Sequence, residues 1–253
     1  MSGSHDQLYL AGTSPLHRLA PECKVAATVL FVFTIVATPR EAVWAFACFA
    51  LILVGLARVG QVPLGFVSRR LVIEIPFLAF AALMPIVGHG ERVEVLGLSL
   101  SVAGLWAAWN IVVKATLGVA ATVVMAATTP IPDLLRGLER LRVPRVFVGI
   151  CAFMIRYGDV ITAEMQRMRV ARASRGYDAR WLWHARAVAA SAGTLFIRSY
   201  ERGERVYLAM ASRGYSGSLP VLSDDAGETR QWAAALALPI TGALIAAAAW
   251  SMQ

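Results

Sequence analysis

Five long apolar stretches, residues 25–38, 42–57, 71–87, 102–127 and 232–250, carry only two charged side chains between them, Glu74 and Lys114. A chain with that distribution has far more apolar surface than one water-screened core can hide. Of its 253 residues 58% are hydrophobic, and its mean hydropathy is +0.61, which predicts an integral membrane protein. The net charge of +8 is localised. Residues 129–216 hold fifteen arginines against seven acids, and outside them nine basic and nine acidic residues cancel. The positive-inside tendency puts that block in the cytoplasm. A basic block also suits nucleic acid, but the flanking membrane segments account for the arginine bias, so no nucleic-acid partner is expected.

The stretches predict an all-α, polytopic membrane protein with about five transmembrane helices. Residues 16–24 form a short amphipathic entry. Stretches 25–38 and 42–57, joined by the turn Pro39-Arg40-Glu41, are each slightly under the roughly 17 to 25 residues needed to cross, so a helix hairpin extended by its flanks is expected. Residues 58–70, with Arg58, Arg69 and Arg70, read as an interior loop. Residues 71–87 form a third span, kinked at Pro76 and Pro85. Residues 88–100 read as a short polar exterior connection. Ser101 is the N-cap of a fourth span, 102–127, about 39 Å long at 1.5 Å per residue. That exceeds the hydrocarbon core, so it should tilt or project into the cytoplasm. The last span, 232–250, is bracketed by tryptophans, as interfacial belts require. The expected domains are 1–128 in the membrane, 129–230 in the cytoplasm and 231–253 as a final span, with the N-terminus inside and the C-terminus outside. The first fifteen residues have neither a basic nor an apolar leader segment, so the first span is expected to double as the insertion signal.

Catalytic chemistry is sparse. Only two lysines exist, Lys24 and Lys114, and neither closes a glycine-rich phosphate cradle. The four histidines are scattered without metal-ligand spacing, and no Gly-x-Ser-x-Gly elbow occurs. The three cysteines, Cys23, Cys48 and Cys151, are far apart and read as buried thiols. Lys114, near the middle of its span, costs several kcal/mol unless it is paired, hydrated or snorkelling. Two readings stand: a polar contact with another helix or subunit, with Glu74 as candidate partner, or a long side chain snorkelling from a tilted helix.

Within the basic block, residues 133–142 suit an interfacial helix with Leu134, Leu135, Leu138 and Leu141 at helical spacing. Pro144 starts the next element, whose apolar part, 146–155, is too short to cross. A mixed helix follows over 159–175. Residues 181–197 form a linking helix, and 198–213 repeat the mixed plan. Both mixed helices close on the same pentapeptide, Ala173-Ser174-Arg175-Gly176-Tyr177 and Ala211-Ser212-Arg213-Gly214-Tyr215, and the likeness extends back to Arg167 and Arg205. Glycine suits the left-handed residue past a helix end, and arginine interacts favourably with the C-terminal dipole. That explains one Arg-Gly end, but not five identical residues twice. Arginine's planar fork binds carboxylates bidentately and stays charged. Two matched tips suit a partner with two matched acidic grooves, a symmetric or pseudosymmetric dimer.

The paired Ala-x-Arg-Gly helix ends, the entry segment Ser14-Pro15-Leu16-His17-Arg18-Leu19 with Lys24, and residues 138–144 followed by Arg156 resemble the transmembrane energy-coupling (T) component of energy-coupling factor (ECF) transporters. The nearest likeness is to its cobalt-type, CbiQ, family. That family's signature is usually quoted as Ala-Arg-Gly; here Ser174 and Ser212 separate the alanine from the arginine. The resemblance implies a non-catalytic subunit of an ABC importer in the inner or plasma membrane. Two partner ABC ATPase subunits would hold ATP and magnesium. A membrane substrate-capture (S) component, with a small accessory membrane protein, would carry cobalt or nickel, and this chain would hold no cofactor. A pair of long crossed coupling helices between the fourth and last spans would seat Arg175 in one ATPase groove and Arg213 in the other. Ala173, Ser174, Gly176, Ala211, Ser212 and Gly214 would shape the tips. A vitamin-type T component is the alternative, and after it a stand-alone secondary carrier in which Lys114 and Glu74 form the ion-coupling pair.

Overall fold

The computed structural model describes residues 9–88, 92–95, 98–176, 185–217 and 227–252. They fall into two units, one from residues 9–141 and 227–252 and the other from 142–217.

The first unit opens with α1, Pro15–Arg18, a single turn that Ser14 caps by accepting a hydrogen bond from the His17 amide. Two 17-residue helices follow, α2 (Pro21–Ala37) and α3 (Val43–Val59). Then come α4 (Leu64–Arg70), a 3-10 turn (Leu71–Glu74) and α5 (Ile75–Val87), which form one continuous helical stretch of 24 residues. The helix α6 spans Val102–Ala127, α7 Ile131–Arg140 and α10 Thr229–Ser251. Ser101 caps α6 as expected, accepting from the Gly104 amide. Phe31 and Ile35 of α2 meet Phe46, Phe49 and Leu53 of α3, Leu117 and Ala121 of α6 and Ala249 of α10 in one buried cluster. The Phe31 and Phe49 rings stand nearly perpendicular, 5.7 Å apart. In lipid, burial against a neighbour gains no hydrophobic energy, so close backbone approach has to supply the attraction. Glycines provide it: a Cβ on Gly104 would run into the Met84 carbonyl oxygen of α5, and one on Gly242 of α10 would sit 2.6 Å from Thr34 Oγ1 of α2. The outer faces carry exposed Phe33, Leu51, Phe77 and Leu244, the surface that lipid covers.

Several boundaries differ from the sequence expectation. Of the expected interior loop 58–70, Arg58 and Val59 finish α3 and residues 64–70 form α4, whose Val67 joins a buried cluster with Ala57, Val62, Val123 and Ala127 that draws it onto the bundle. The stretch before Pro76 tightens into a 3-10 turn, and Ile75, with φ −47° and ψ −44°, already starts α5 in the α region. The polar connection 88–100 contains a β-hairpin, β1 (Arg92–Val95) and β2 (Leu98–Ser101), in antiparallel register with Val95 opposite Leu98. Cys23 is buried, but Cys48 is half-buried and Cys151 exposed, so the reading of three buried thiols holds for one.

The second unit is a pair of helices, α8 (Arg145–Ser174) and α9 (Ala185–Ala211). Residues 146–155 and 159–174, expected as separate elements, form one 30-residue helix, and the expected linking helix continues without a break into the second mixed helix. A change from apolar to charged side chains does not interrupt backbone hydrogen bonding, so polarity marks no helix end here. Residues 177–184, with Tyr177 and the start of the linking helix, lie outside the described residues, as do 218–226. Among the described residues four helical stretches are long and apolar enough to cross a membrane: residues 64–87, α6, α8 and α10. Three of them match expected spans. The first two expected spans are the 17-residue helices α2 and α3, and α8 joins the group because its apolar start extends past residue 155. The chain is an all-α polytopic membrane protein.

Candidate functional site

Both tips close on a left-handed glycine whose amide bonds the carbonyl three residues back. In α8 the Gly176 amide donates to the Ala173 carbonyl (3.0 Å), and Gly176 has φ +72°. In α9 the Gly214 amide donates to Ala211 (3.0 Å) with φ +85°, and the Tyr215 amide reaches back to the Met210 carbonyl (3.0 Å). Those two bonds and the left-handed glycine make a Schellman cap. The serines turn inward: Ser174 Oγ donates to the Val170 carbonyl and Ser212 Oγ to that of Ala209, both at 3.0 Å. Each serine therefore satisfies its hydroxyl on its own helix and leaves the Arg-Gly element at the surface. Ala173, Arg175, Gly176, Ala211, Arg213 and Gly214 are all exposed.

The two helices are joined by Glu164. Its Oε1 accepts from Arg198 of α9 at 2.5 Å and its Oε2 from Arg167, one turn along α8, at 2.8 Å. A cleft of about 530 Å³ opens beside this point, lined from α8 by Phe153, Met154 and Tyr157, from α9 by Val206 and Met210, and from just past α9 by Tyr215, among others. All the α8 residues in its wall lie between 153 and 164, and all from the α9 side between 195 and 215. The α9 arm that ends in Arg213 thus runs beside the α8 arm leading away from Arg175, so the tips diverge from the crossing. Arg175 lies eleven residues beyond Glu164 and Arg213 fifteen beyond Arg198, or about 16 and 22 Å of helix at 1.5 Å per residue. Tyr215, the last residue of the second pentapeptide, is half-buried in the cleft wall instead of offered outward.

Lys114 and Glu74 are not brought together. The Lys114 ammonium donates to the Val36 carbonyl at the end of α2 (2.7 Å). Glu74, 3% exposed, accepts from Thr116 of α6 (2.9 Å). Lys114 does contact another helix, but the ion-coupling pair of the secondary-carrier reading is not assembled. Among the described residues no three His, Cys, Asp or Glu side chains converge on a metal-sized site.

A second polar cluster escaped the sequence reading. It lies in the first turn of α2, before the apolar stretch that begins at Val25. The Lys24 ammonium is buried and donates to the Thr128 carbonyl (3.0 Å), Thr129 Oγ1 (3.1 Å) and the His17 carbonyl (3.4 Å). Burial pushes it down to about 8, against the opposing pull of Asp133. Glu22 pairs with Arg140 of α7 (3.1 Å) and accepts from the Gly227 amide (2.7 Å). Burial raises its carboxyl, but the Gly227 amide, its own amide and Arg140 outweigh that and leave it below the usual range. The cluster fixes α7 and the α6–α7 junction to the foot of α2. Gly137 of α7 sits so close that a Cβ there would lie 2.9 Å from the Glu22 amide. The available signal was two opposite charges at the mouth of an apolar run, where an unpaired ion is costly.

Comparison with known proteins sets this arrangement in context. A family model described as cobalt transport protein, CbiQ, matches residues 12–222. The cobalt transport protein CbiQ of Rhodobacter capsulatus is 30% identical over 164 residues, 64% of this chain and 65% of that protein. The putative fused cobalt transport protein CbiMQ of Methanocorpusculum labreanum is 26% identical over 57% of this chain and 25% of its own length. The energy-coupling factor transporter transmembrane protein EcfT of Bacillus selenitireducens is 27% identical over 83% of this chain and 82% of its own. The chain thus spans less than two thirds of the two cobalt-named relatives, and more than four fifths of the last. With the family match extending over both units and both tips, the chain belongs to the CbiQ cobalt transport protein family.

Proposed function

We propose that this chain is the membrane coupling subunit of an ATP-driven importer of the energy-coupling factor type, with cobalt or nickel ions as cargo. The observation that carries the reading is the pair of matching exposed tips, Arg175 and Arg213, capped alike and diverging from one crossing. Such a device transmits force between two like sites. It suits a dimer of ABC ATPases, one groove per tip, and neither tip has the makings of an active site. Residues 129–230 would face the cytoplasm, with the N-terminus inside and the C-terminus outside. ATP-driven closure of the ATPase pair would shift the tips, and α8 and α9 would pass the movement to a membrane capture component and its accessory protein. The metal cargo follows from the family's description and from the cobalt-named relatives.

Co-expression with an ABC ATPase pair and a cobalt-type capture protein tests the reading. Arg175→Glu with Arg213→Glu is expected to insert normally and to lose co-purification with the ATPases and cobalt uptake. Each arginine–carboxylate contact is worth about 1.5 to 3 kcal/mol, and reversal adds repulsion. Intact assembly and uptake in that double variant would refute the coupling role.

A further inference from the structure

We propose that Glu164 is the pin of the coupling-helix crossing, a positioning residue that holds α8 and α9 at one point while their arms change angle. The proposal rests on the coupling reading above. It starts from how little apolar burial holds the pair among the described residues. No residue of α8 is buried, and among the described side chains of α9 only Leu195 is, at 8% exposure. Leu195 lies one turn before Arg198, so apolar and polar contact coincide there.

Glu164 is built for that place. Its side chain is 18% exposed, whereas those of Arg198 and Arg167 are 58% and 69% exposed. The carboxylate is therefore the sheltered member, and its partners reach in from solvent. Arg167 on the same helix takes Oε2 and thereby turns Oε1 toward α9, where Arg198 meets it. A guanidinium can swing about a carboxylate oxygen and keep its charge-assisted bond through a range of angles. Interdigitated side chains cannot do so without repacking. On one side of the pin the arms stand apart around the 530 Å³ cleft, and Gly203 in its wall has nothing within 4 Å of where a Cβ would lie. The arms therefore have room to close on that side before any packed contact resists. Motion at one tip turns about Glu164 and reaches the far arms, where a slipping crossing would absorb it.

Two measurements on the full-length chain test this. In the first, spin labels are placed at Val170→Cys and Leu208→Cys, exposed positions on the two arms outside the tip motifs, with Cys23, Cys48 and Cys151 changed to alanine. In the isolated protein, Glu164→Ala and Arg198→Ala should each broaden the distance distribution. The charge-exchanged pair Glu164→Arg with Arg198→Glu, made together with Arg167→Glu so that the new arginine does not face a like charge on its own helix, should narrow it again, because opposite charges again meet across the crossing. In the second, the complex with ATPases and capture protein is reconstituted. Glu164→Ala should co-purify with the ATPases as wild type does and keep hydrolysing ATP, while uptake per ATP falls roughly tenfold, the size of an ordinary coupling free energy. Glu164→Gln, which keeps shape and loses charge, should fall between. An unchanged distance distribution in Glu164→Ala, unchanged uptake per ATP, or failure of the exchanged pair to narrow the distribution would overturn the pin. Failure of the wild-type chain to bind ATPases would instead refute the coupling reading, and the label distances would still decide the pin.

Discussion

The tips offer a perturbation whose size is set almost entirely by the backbone. Gly176 and Gly214 lie at φ +72° and +85°, and a Cβ at either would meet nothing within 4 Å. Alanine there is consequently free of clashes and bears only the left-handed penalty, about 1 to 2 kcal/mol per residue. The exposed tip has a way out, because it can unwind its last turn and give up the cap bonds from Gly214 and Tyr215. Those bonds are worth about 1 kcal/mol each, so unwinding is competitive with strain, and the free protein should lose little global stability. If the tips seat in the proposed ATPase grooves, the cost reappears on binding, which needs the wound tip. Each Gly→Ala should then weaken ATPase binding about 5- to 30-fold. The tips are remote from one another, so the two effects should add in free energy and multiply in affinity. Asparagine tolerates the left-handed region better than alanine, so Gly214→Asn should recover much of the loss. Titration of labelled ATPase onto detergent-solubilised variants, with thermal unfolding alongside, supplies both numbers. Equal losses for Ala and Asn, or a loss of thermal stability as large as the loss of affinity, would refute the conformational argument.

Gly104→Ala is expected to lower thermal stability by about 1 to 3 kcal/mol, because its Cβ would meet the Met84 carbonyl and the Pro85 Cα, which are backbone and cannot step aside. Gly55→Ala, which meets nothing within 4 Å, is the control and should be near neutral in the same melting assay. Lys24→Met should cost about 1 to 3 kcal/mol by leaving the Thr128 carbonyl unpartnered, with Thr129→Val costing less. Lys24 also predicts the sign of a pH effect. Its folded value is lowered from 10.5 to about 8, so the unfolded chain binds more protons across that window. Stability should rise as pH climbs from 8 to 10.5. A pH series of melts should show that rise in the wild type and a flatter line in Lys24→Met; a fall over the same window would contradict it.

What could be seen in the sequence and what could not divides by whether a feature is local. The Ser101 cap and the Gly176 and Gly214 ends are written in consecutive residues, and the backbone obeys them. The apolar stretches likewise announce themselves, but their limits follow packing more than composition. The segment α4 is helical because Val67 finds Val123 and Ala127 far along the chain. The unbroken course of α8 has a different cause, since the arrival of charge looks like an end without being one. A helix stops where the next residue's backbone must turn, as at Gly176, and Gly158-Asp159 imposes no such turn. Lys114 bonds a main-chain carbonyl, a group every residue carries, so no partner side chain could have signalled it. Glu22 answers to Arg140 and Gly227, and nothing near it in sequence names either. The same division runs through the candidate site. Its tips are legible because one contiguous pentapeptide recurs. Its crossing is not, because Glu164 and Arg198 look like any other acid and arginine in a block that holds seven and fifteen of them. Only the approach of α9 to α8 singles them out. It follows that substitutions at the tips should disturb partner binding, whereas substitutions at the crossing should leave binding intact and disturb what binding accomplishes.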